Sequence, residues 1–167
     1  MAEQIANYLS GIPAHWTTFF LAMLPILELR GSIPWAILVG GMHWQDAFIW
    51  SLFGNFMPIV PILLLLEPVS NFLSRWKLLD RFFTWLFART RRKGKMVEKY
   101  ETLGLIILVA IPLPGTGAWT GALAAFVFGV RFRLALPAII IGVIIAGTLV
   151  TSIVMGGSTA ARAILGL

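Results

Sequence analysis

The chain contains no cysteine, which excludes disulfides, thiolate metal sites and a cysteine nucleophile. Its two histidines, His15 and His43, are too few and too separated for a metal site without carboxylate help. No metal or other cofactor is expected. Charge is also scarce. Only 12% of the residues are charged, against roughly 25% in an average soluble domain. No nucleotide loop, metal signature or nucleophile elbow is present, so no enzyme is expected. The opening residues, Met1-Ala2-Glu3-Gln4, lack a basic stretch ahead of an apolar one, and a cleaved signal peptide is not expected.

The remaining composition is that of a membrane protein. Hydrophobic residues make up 59% of the chain and fall in several long runs. Net charge is +6, and nine of the 13 Lys and Arg residues lie between Arg75 and Lys99. Arg131 and Arg133 are two more, and only Arg30 and Arg162 lie elsewhere. In a lipid-embedded chain this cluster reads as a cytoplasmic, positive-inside segment. Binding of nucleic acid is not expected.

One short pattern occurs twice. Gly31-Ser32-Ile33-Pro34-Trp35 recurs 84 residues later as Gly115-Thr116-Gly117-Ala118-Trp119, an offset of half the 167-residue length. Both copies interrupt an apolar run. Paired, broken apolar segments in the two halves of a chain point to a transporter's binding site.

The first apolar block, Trp16 to Leu27, is about 18 Å long as a helix, enough to reach the bilayer middle but not to cross it. Glu28, Arg30, Gly31 and Pro34 follow, and the run resumes from Trp35 to Met42. This pattern predicts a re-entrant hairpin over 16–42 with a polar turn at its tip. Residues 46–66 are long enough to span, with kinks expected at Pro58 and Pro61. Ser70, Ser74, Lys77, Arg81 and Thr84 form a polar stripe opposite Phe72, Trp76, Leu79, Phe83 and Leu86, which predicts an interfacial amphipathic helix over Ser70–Arg89. A basic linker follows, so that 67–102 joins the halves. The second half repeats the plan. A hairpin is expected over 103–130, broken by Pro112-Leu113-Pro114-Gly115-Thr116-Gly117, then a span over 134–155 and a tail over 158–167. Gly117, Gly121 and Ala125 have the spacing that lets membrane helices approach closely. If both broken segments are re-entrant, Arg131 and Arg133 share a side with the Arg75–Lys99 cluster and both termini face outward. The expected fold is therefore a single all-α integral membrane domain with inverted repeats, each half (1–66 and 103–157) a re-entrant hairpin plus one transmembrane helix.

Glu28 and Arg30 are the charged residues at expected membrane depth, where ionisable groups are costly and often functional. They read either as an ion pair that holds the turn or as a site. In the second reading, burial disfavours the charged carboxylate, so Glu28 acts as a proton switch. Arg30 then grips an anionic headgroup through its planar fork. The Pro112–Gly117 break reads as a packing turn, or as a helix start whose N–H groups suit a phosphate or carboxylate. Asn55 reads as satisfying kink carbonyls or as bonding to the hairpin tips. Thr148, Thr151 and Ser152 are expected to bond their own helix backbone. Trp35 and Trp119 adjoin the tips and are candidates to wall a pocket. His43 and Asp46 are expected at the outer rim, in a surface loop or a proton entrance.

Glu28-Leu29-Arg30-Gly31-Ser32-Ile33-Pro34 and Pro112-Leu113-Pro114-Gly115-Thr116-Gly117-Ala118-Trp119-Thr120-Gly121-Ala122 resemble the two signatures of the small multidrug export family. The resemblance covers residues 15–157. That family is similar in plan to the DedA, or VTT, membrane proteins. Those proteins have two facing re-entrant hairpins and are implicated in moving lipids, including a polyprenyl phosphate carrier, in drug resistance and in maintaining the proton-motive force. The Pro-x-Pro-Gly turn of the DedA pattern matches Pro112, Pro114 and Gly115. Thr116 and Leu108 stand where that pattern usually carries acids.

The resemblance and the residues together suggest an inner-membrane transporter. The leading expectation is proton-linked translocation of an anionic lipid such as a polyprenyl phosphate. Glu28 titrates, Arg30, Gly31, Ser32, Asn55, Pro112, Pro114, Gly115, Thr116 and Gly117 form the binding region, and Trp35 and Trp119 line it. Export of lipophilic drugs is the alternative, and a non-transporting assembly factor is a third reading. The partner is a membrane lipid or small amphipathic substrate, and a homodimer would enclose the tips. The absence of cysteine makes the topology directly testable. Gln45→Cys is expected to label from outside, and Thr90→Cys and Arg131→Cys only from the cytoplasm. Labelling of positions 90 and 131 from opposite sides would exclude a re-entrant second hairpin.

Overall fold

An apolar run of about 20 residues can cross a bilayer as one helix, and a much shorter one cannot. The computed structural model follows that division. It describes residues 13–73, 95–111 and 116–165, with side chains for 13–65, 102–111 and 116–157. The helices are α1 (Ala14–Met23), α2 (Glu28–Leu38), α3 (Trp44–Leu73), α4 (Lys95–Ala110), α5 (Ala118–Val127) and α6 (Phe132–Leu165). Among the described residues there is no strand. Stretches of α3 (Trp44–Leu65) and α6 (Phe132–Gly157) are long and apolar enough to span. The short helices form two pairs, with α1 packed on α2 and α4 on α5.

The first pair turns earlier than the sequence reading expects. Glu28, Arg30, Gly31 and Pro34 are not in the turn but in α2, and the turn lies at 24–27. The cause is Pro25. A residue before proline is driven out of helical backbone, and Leu24 is extended at φ −71°, ψ 131°. Pro34 lies inside α2, where it withholds the N–H that would donate to the Arg30 carbonyl. Helix α3 likewise continues through Pro58 and Pro61. Helix α4 begins at Lys95, earlier than the apolar run at Leu103. Its first turns are rich in Lys, Met and Glu, good helix formers that are not apolar. Helix α6 runs on to Leu165, through most of the expected tail. Beyond Leu73, the expected amphipathic helix over Ser70–Arg89 and the basic stretch to Gly94 lie outside the described residues.

The chain divides into two compact units, Met1–Asn55 with Gly147–Leu167, and Phe56–Ala146. In the first, α1 lies against α3. His15 and Trp16 meet the Trp50 ring edge-on, with centroids 5.4 and 5.5 Å apart. A Cβ on Gly54 would sit 2.2 Å from the Phe19 carbonyl oxygen and 2.9 Å from the Ala22 Cβ. Contact positions rise together along both helices, so α1 and α3 run parallel. Ser32 donates to Ser51 at 2.8 Å, joining α2 to α3. The short connection over 39–43 makes those two antiparallel.

In the second unit, Val109 of α4 sits between two glycines. A Cβ on Gly121 of α5 would come within 2.5 Å of its Cγ2, and one on Gly142 of α6 within 2.7 Å of its Cβ. Ala118, Ala122 and Ala125 of α5 and Ala135, Ala138, Ile139 and Val143 of α6 are buried in this unit. The Gly121 spacing expected to permit close approach does so here against Val109.

The outward surface is apolar. Ile49, Phe53, Met57, Val60 and Leu64 are exposed along α3, and Ile141, Ile145, Leu149 and Ile153 along α6. In the apolar 18-residue core of each span, only 22% of the residues in α3 and 44% in α6 are buried inside the protein, unlike the core helix of a soluble domain. Exposed apolar area on this scale belongs in lipid.

These contacts predict the effect of adding one methyl group. Gly54→Ala drives a methyl into backbone and is expected to cost about 1–3 kcal/mol. Gly121→Ala should cost a similar amount, because Val109 is already held against Gly142 and is stiff at χ1. Gly156 and Gly157 have open space around a Cβ, so alanine there should stabilise α6 by up to about 1 kcal/mol through helix propensity. Unfolding in mild detergent, followed by tryptophan fluorescence, checks the order.

Candidate functional site

Two polar pairs at helical spacing build a seam in the first unit. Glu28 and Ser32 are one turn apart on α2, and Ser51 and Asn55 one turn apart on α3. The Ser32–Ser51 hydrogen bond sets the register. Because the helices are antiparallel, a turn back along α2 and a turn forward along α3 lead to the same level, that of Glu28 and Asn55. All four side chains are buried: Ser32 and Ser51 fully, Asn55 at 1% and Glu28 at 5% exposure.

The two levels differ in satisfaction. The serine hydroxyls pair with each other. Asn55 has neither amide atom hydrogen-bonded, although both are buried. An unsatisfied buried polar group costs about 1–3 kcal/mol and calls for an explanation. The expectation that Asn55 bonds kink carbonyls or a hairpin tip through its side chain is therefore not met. The Thr17 hydroxyl on α1 is also buried without a partner.

Glu28 carries backbone strain as well. Its N–H closes a turn onto the Leu24 carbonyl at 2.9 Å, and its own φ is +47°. It is the non-glycine residue with positive φ among those described. Left-handed backbone costs a side-chain-bearing residue roughly 1–2 kcal/mol. Strain of this kind collects at functional sites.

Arg30 is half-buried and within electrostatic reach of Glu28. Trp35 is about one full repeat from Glu28, so it shares the seam's face of α2; it is half-buried. Gly31 lies beneath Leu27, whose Cδ2 would be 2.9 Å from an added Cβ.

In the second unit, Pro112, Pro114 and Gly115 lie outside the described residues. Thr116 donates to the Ile111 carbonyl at 2.9 Å, tying the arms of the second pair together. Gly117 is buried and caps α5 at φ 151°, ψ −164°, backbone reserved for glycine. Trp119 is half-buried in the first turn of α5. On α6, Ser152 donates to the Thr148 carbonyl at 2.8 Å, as expected. Thr151 differs: its hydroxyl is buried and bonds nothing. At the other end of α2, the exposed His43 pairs with Gln45.

Ser51 is the residue the sequence reading missed. The signal was the coincidence of two polar i, i+4 pairs, Glu28/Ser32 and Ser51/Asn55, in consecutive apolar helices.

A sequence profile described as "Putative small multi-drug export protein" matches residues 28–149, well over half of the chain. The chain belongs to the small multi-drug export family. No curated protein and no solved structure matches it. The family match opens at Glu28 and takes in the whole seam and the second helix pair, and α1 precedes it. With two apolar spans, this member of the export family is a membrane protein.

Strain at Glu28 is separable from its chemistry. Glu28→Gly and Glu28→Ala both remove the carboxyl, but only glycine relieves the left-handed backbone. The glycine variant is expected to be the more stable by about 1 kcal/mol, measured by thermal unfolding in detergent. Equal stability would mean the strain is absent.

Proposed function

We propose that the protein is a proton-coupled membrane exporter of amphipathic compounds whose working site is the seam of Glu28, Ser32, Ser51 and Asn55. The observation that carries this reading is a buried carboxyl held in strained backbone at the level of an unpaired buried amide. In apolar surroundings a charged carboxylate is costly unless a cation stands near it, and Arg30 lies within electrostatic reach of Glu28. Protonation of Glu28, or the approach of a cationic substrate, changes that balance. Proton and cationic substrate then compete for Glu28, which is the coupling an exchanger needs. Asn55 offers one donor face and one acceptor face to the passing group. The two helix pairs act as re-entrant hairpins of an inverted repeat in the inner membrane, with the basic linker cytoplasmic, and a homodimer encloses the tips.

A second reading rests on Arg30, half-buried beside Glu28. A guanidinium there suits an anionic lipid, such as a polyprenyl phosphate, gripped through two parallel hydrogen bonds. That reading follows the likeness in plan to DedA proteins.

Proteoliposomes with an imposed pH gradient distinguish the two. Glu28→Gln is expected to abolish gradient-driven transport of a lipophilic cation while the protein stays folded. An unchanged pH profile would remove Glu28 from the mechanism. Binding of polyprenyl phosphate that is weakened by Arg30→Lys and lost in Arg30→Ala, without cation transport, would put the lipid reading first.

A further inference from the structure

We infer that the first compact unit carries a second ligand site, a groove beside α6 that takes an uncharged, drug-sized amphiphile bearing a hydroxyl or amide. Trp44 and Phe48 of α3 and Thr148, Thr151, Ser152 and Met155 of α6 line it. Its volume is about 490 Å³, inside the range of roughly 300–1,000 Å³ typical of small-molecule sites. None of these residues belongs to the Glu28 seam.

The groove is built by a small residue. A Cβ on Gly147 would lie 2.8 Å from Cε2 of the Phe48 ring, so glycine lets that ring rest on α6 and leaves the space beside it open. The second observation is Thr151. It is only 7% exposed, and its hydroxyl has no hydrogen-bond partner. A threonine in a helix ordinarily bonds its own backbone, as Ser152 does to Thr148 at 2.8 Å. Thr151 keeps a donor and an acceptor unused at the groove wall.

The lining also sets the ligand's chemistry. Among the described residues it holds no ionisable side chain, so a charged ligand would be desolvated there without compensation from them. The two aromatic rings and the adaptable Met155 fit an apolar, preferably aromatic body. The hydroxyls fit one polar group on it.

Photolabelling tests the site where it stands, in nanodiscs of the full chain. The probe is a diazirine derivative of benzyl alcohol, with adducts mapped by peptide mass spectrometry. Labelling is expected to concentrate on Trp44, Phe48 and Met155 and to be displaced by excess benzyl alcohol. Thr151→Val should lower that displaceable labelling roughly twofold to tenfold, the worth of one hydrogen bond, while the melting temperature holds or rises. Thr151→Ser, which keeps the hydroxyl, should retain it, and Gly147→Leu, which pushes Phe48 into the groove, should eliminate it. The charged benzylammonium analogue should label the groove less. Glu28→Gln should label like the parent chain, which separates this site from the transport reading. Labelling spread without displacement over Ile49, Phe53 and Ile153 would overturn the proposal. Full labelling of Thr151→Val, or equal labelling by the charged analogue, would do the same.

Discussion

Helices in lipid gain little by hiding apolar side chains from one another, because the acyl chains around them are equally apolar. Packing has to come from close contact, and close contact from small residues. The protein depends on this at three glycines. Gly54 brings α3 against the backbone of α1, and Gly121 and Gly142 receive Val109 from two sides. Buried alanines on α5 and α6 extend the second contact. Once α1 and α3 are held this closely, the placing of α2 beside them follows from two short connections, and the polar seam follows from that placing.

The seam shows how polar groups are handled in such a setting. The Ser32–Ser51 bond is of the kind that contributes about 0.6–2 kcal/mol between membrane helices. It also aligns one helix against the other. A turn away the same two helices bring together a strained glutamate and an asparagine with neither amide atom bonded. Local rules of backbone and polar satisfaction are obeyed through most of the described chain. Their failures fall at the Glu28 and Asn55 level, at Thr17 and at Thr151. Natural sequences usually break such rules where function requires it. The membership of the export family supplies a class of function, and these failures supply the places to look for it.

Legibility varied with the kind of signal. The two spans were readable because about 20 apolar residues have few other uses. Their ends were less so. Hydropathy marks where a helix meets lipid, whereas helices α4 and α6 continue through residues that are polar or small yet favour helix. The first turn was misplaced because the cluster Glu28–Pro34 looked like a break, whereas the single Pro25 makes it. A charged or glycine-bearing stretch can remain helical, but the residue before a proline seldom does.

Composition and pattern by themselves determined the membrane setting, the all-helical class, the two spans and the two interrupted segments, and marked Glu28 and Asn55 as polar residues in apolar runs. These depend on transfer energies and local backbone preferences, which each residue carries with it. Tertiary structure alone decided that Ser51 meets Ser32, that Glu28 is left-handed, that Asn55 and Thr151 are unpartnered, and that Gly147 opens a groove beside Phe48. Those features depend on which atom of another helix occupies a given few ångströms. That is a property of register and close packing, and no single segment encodes it.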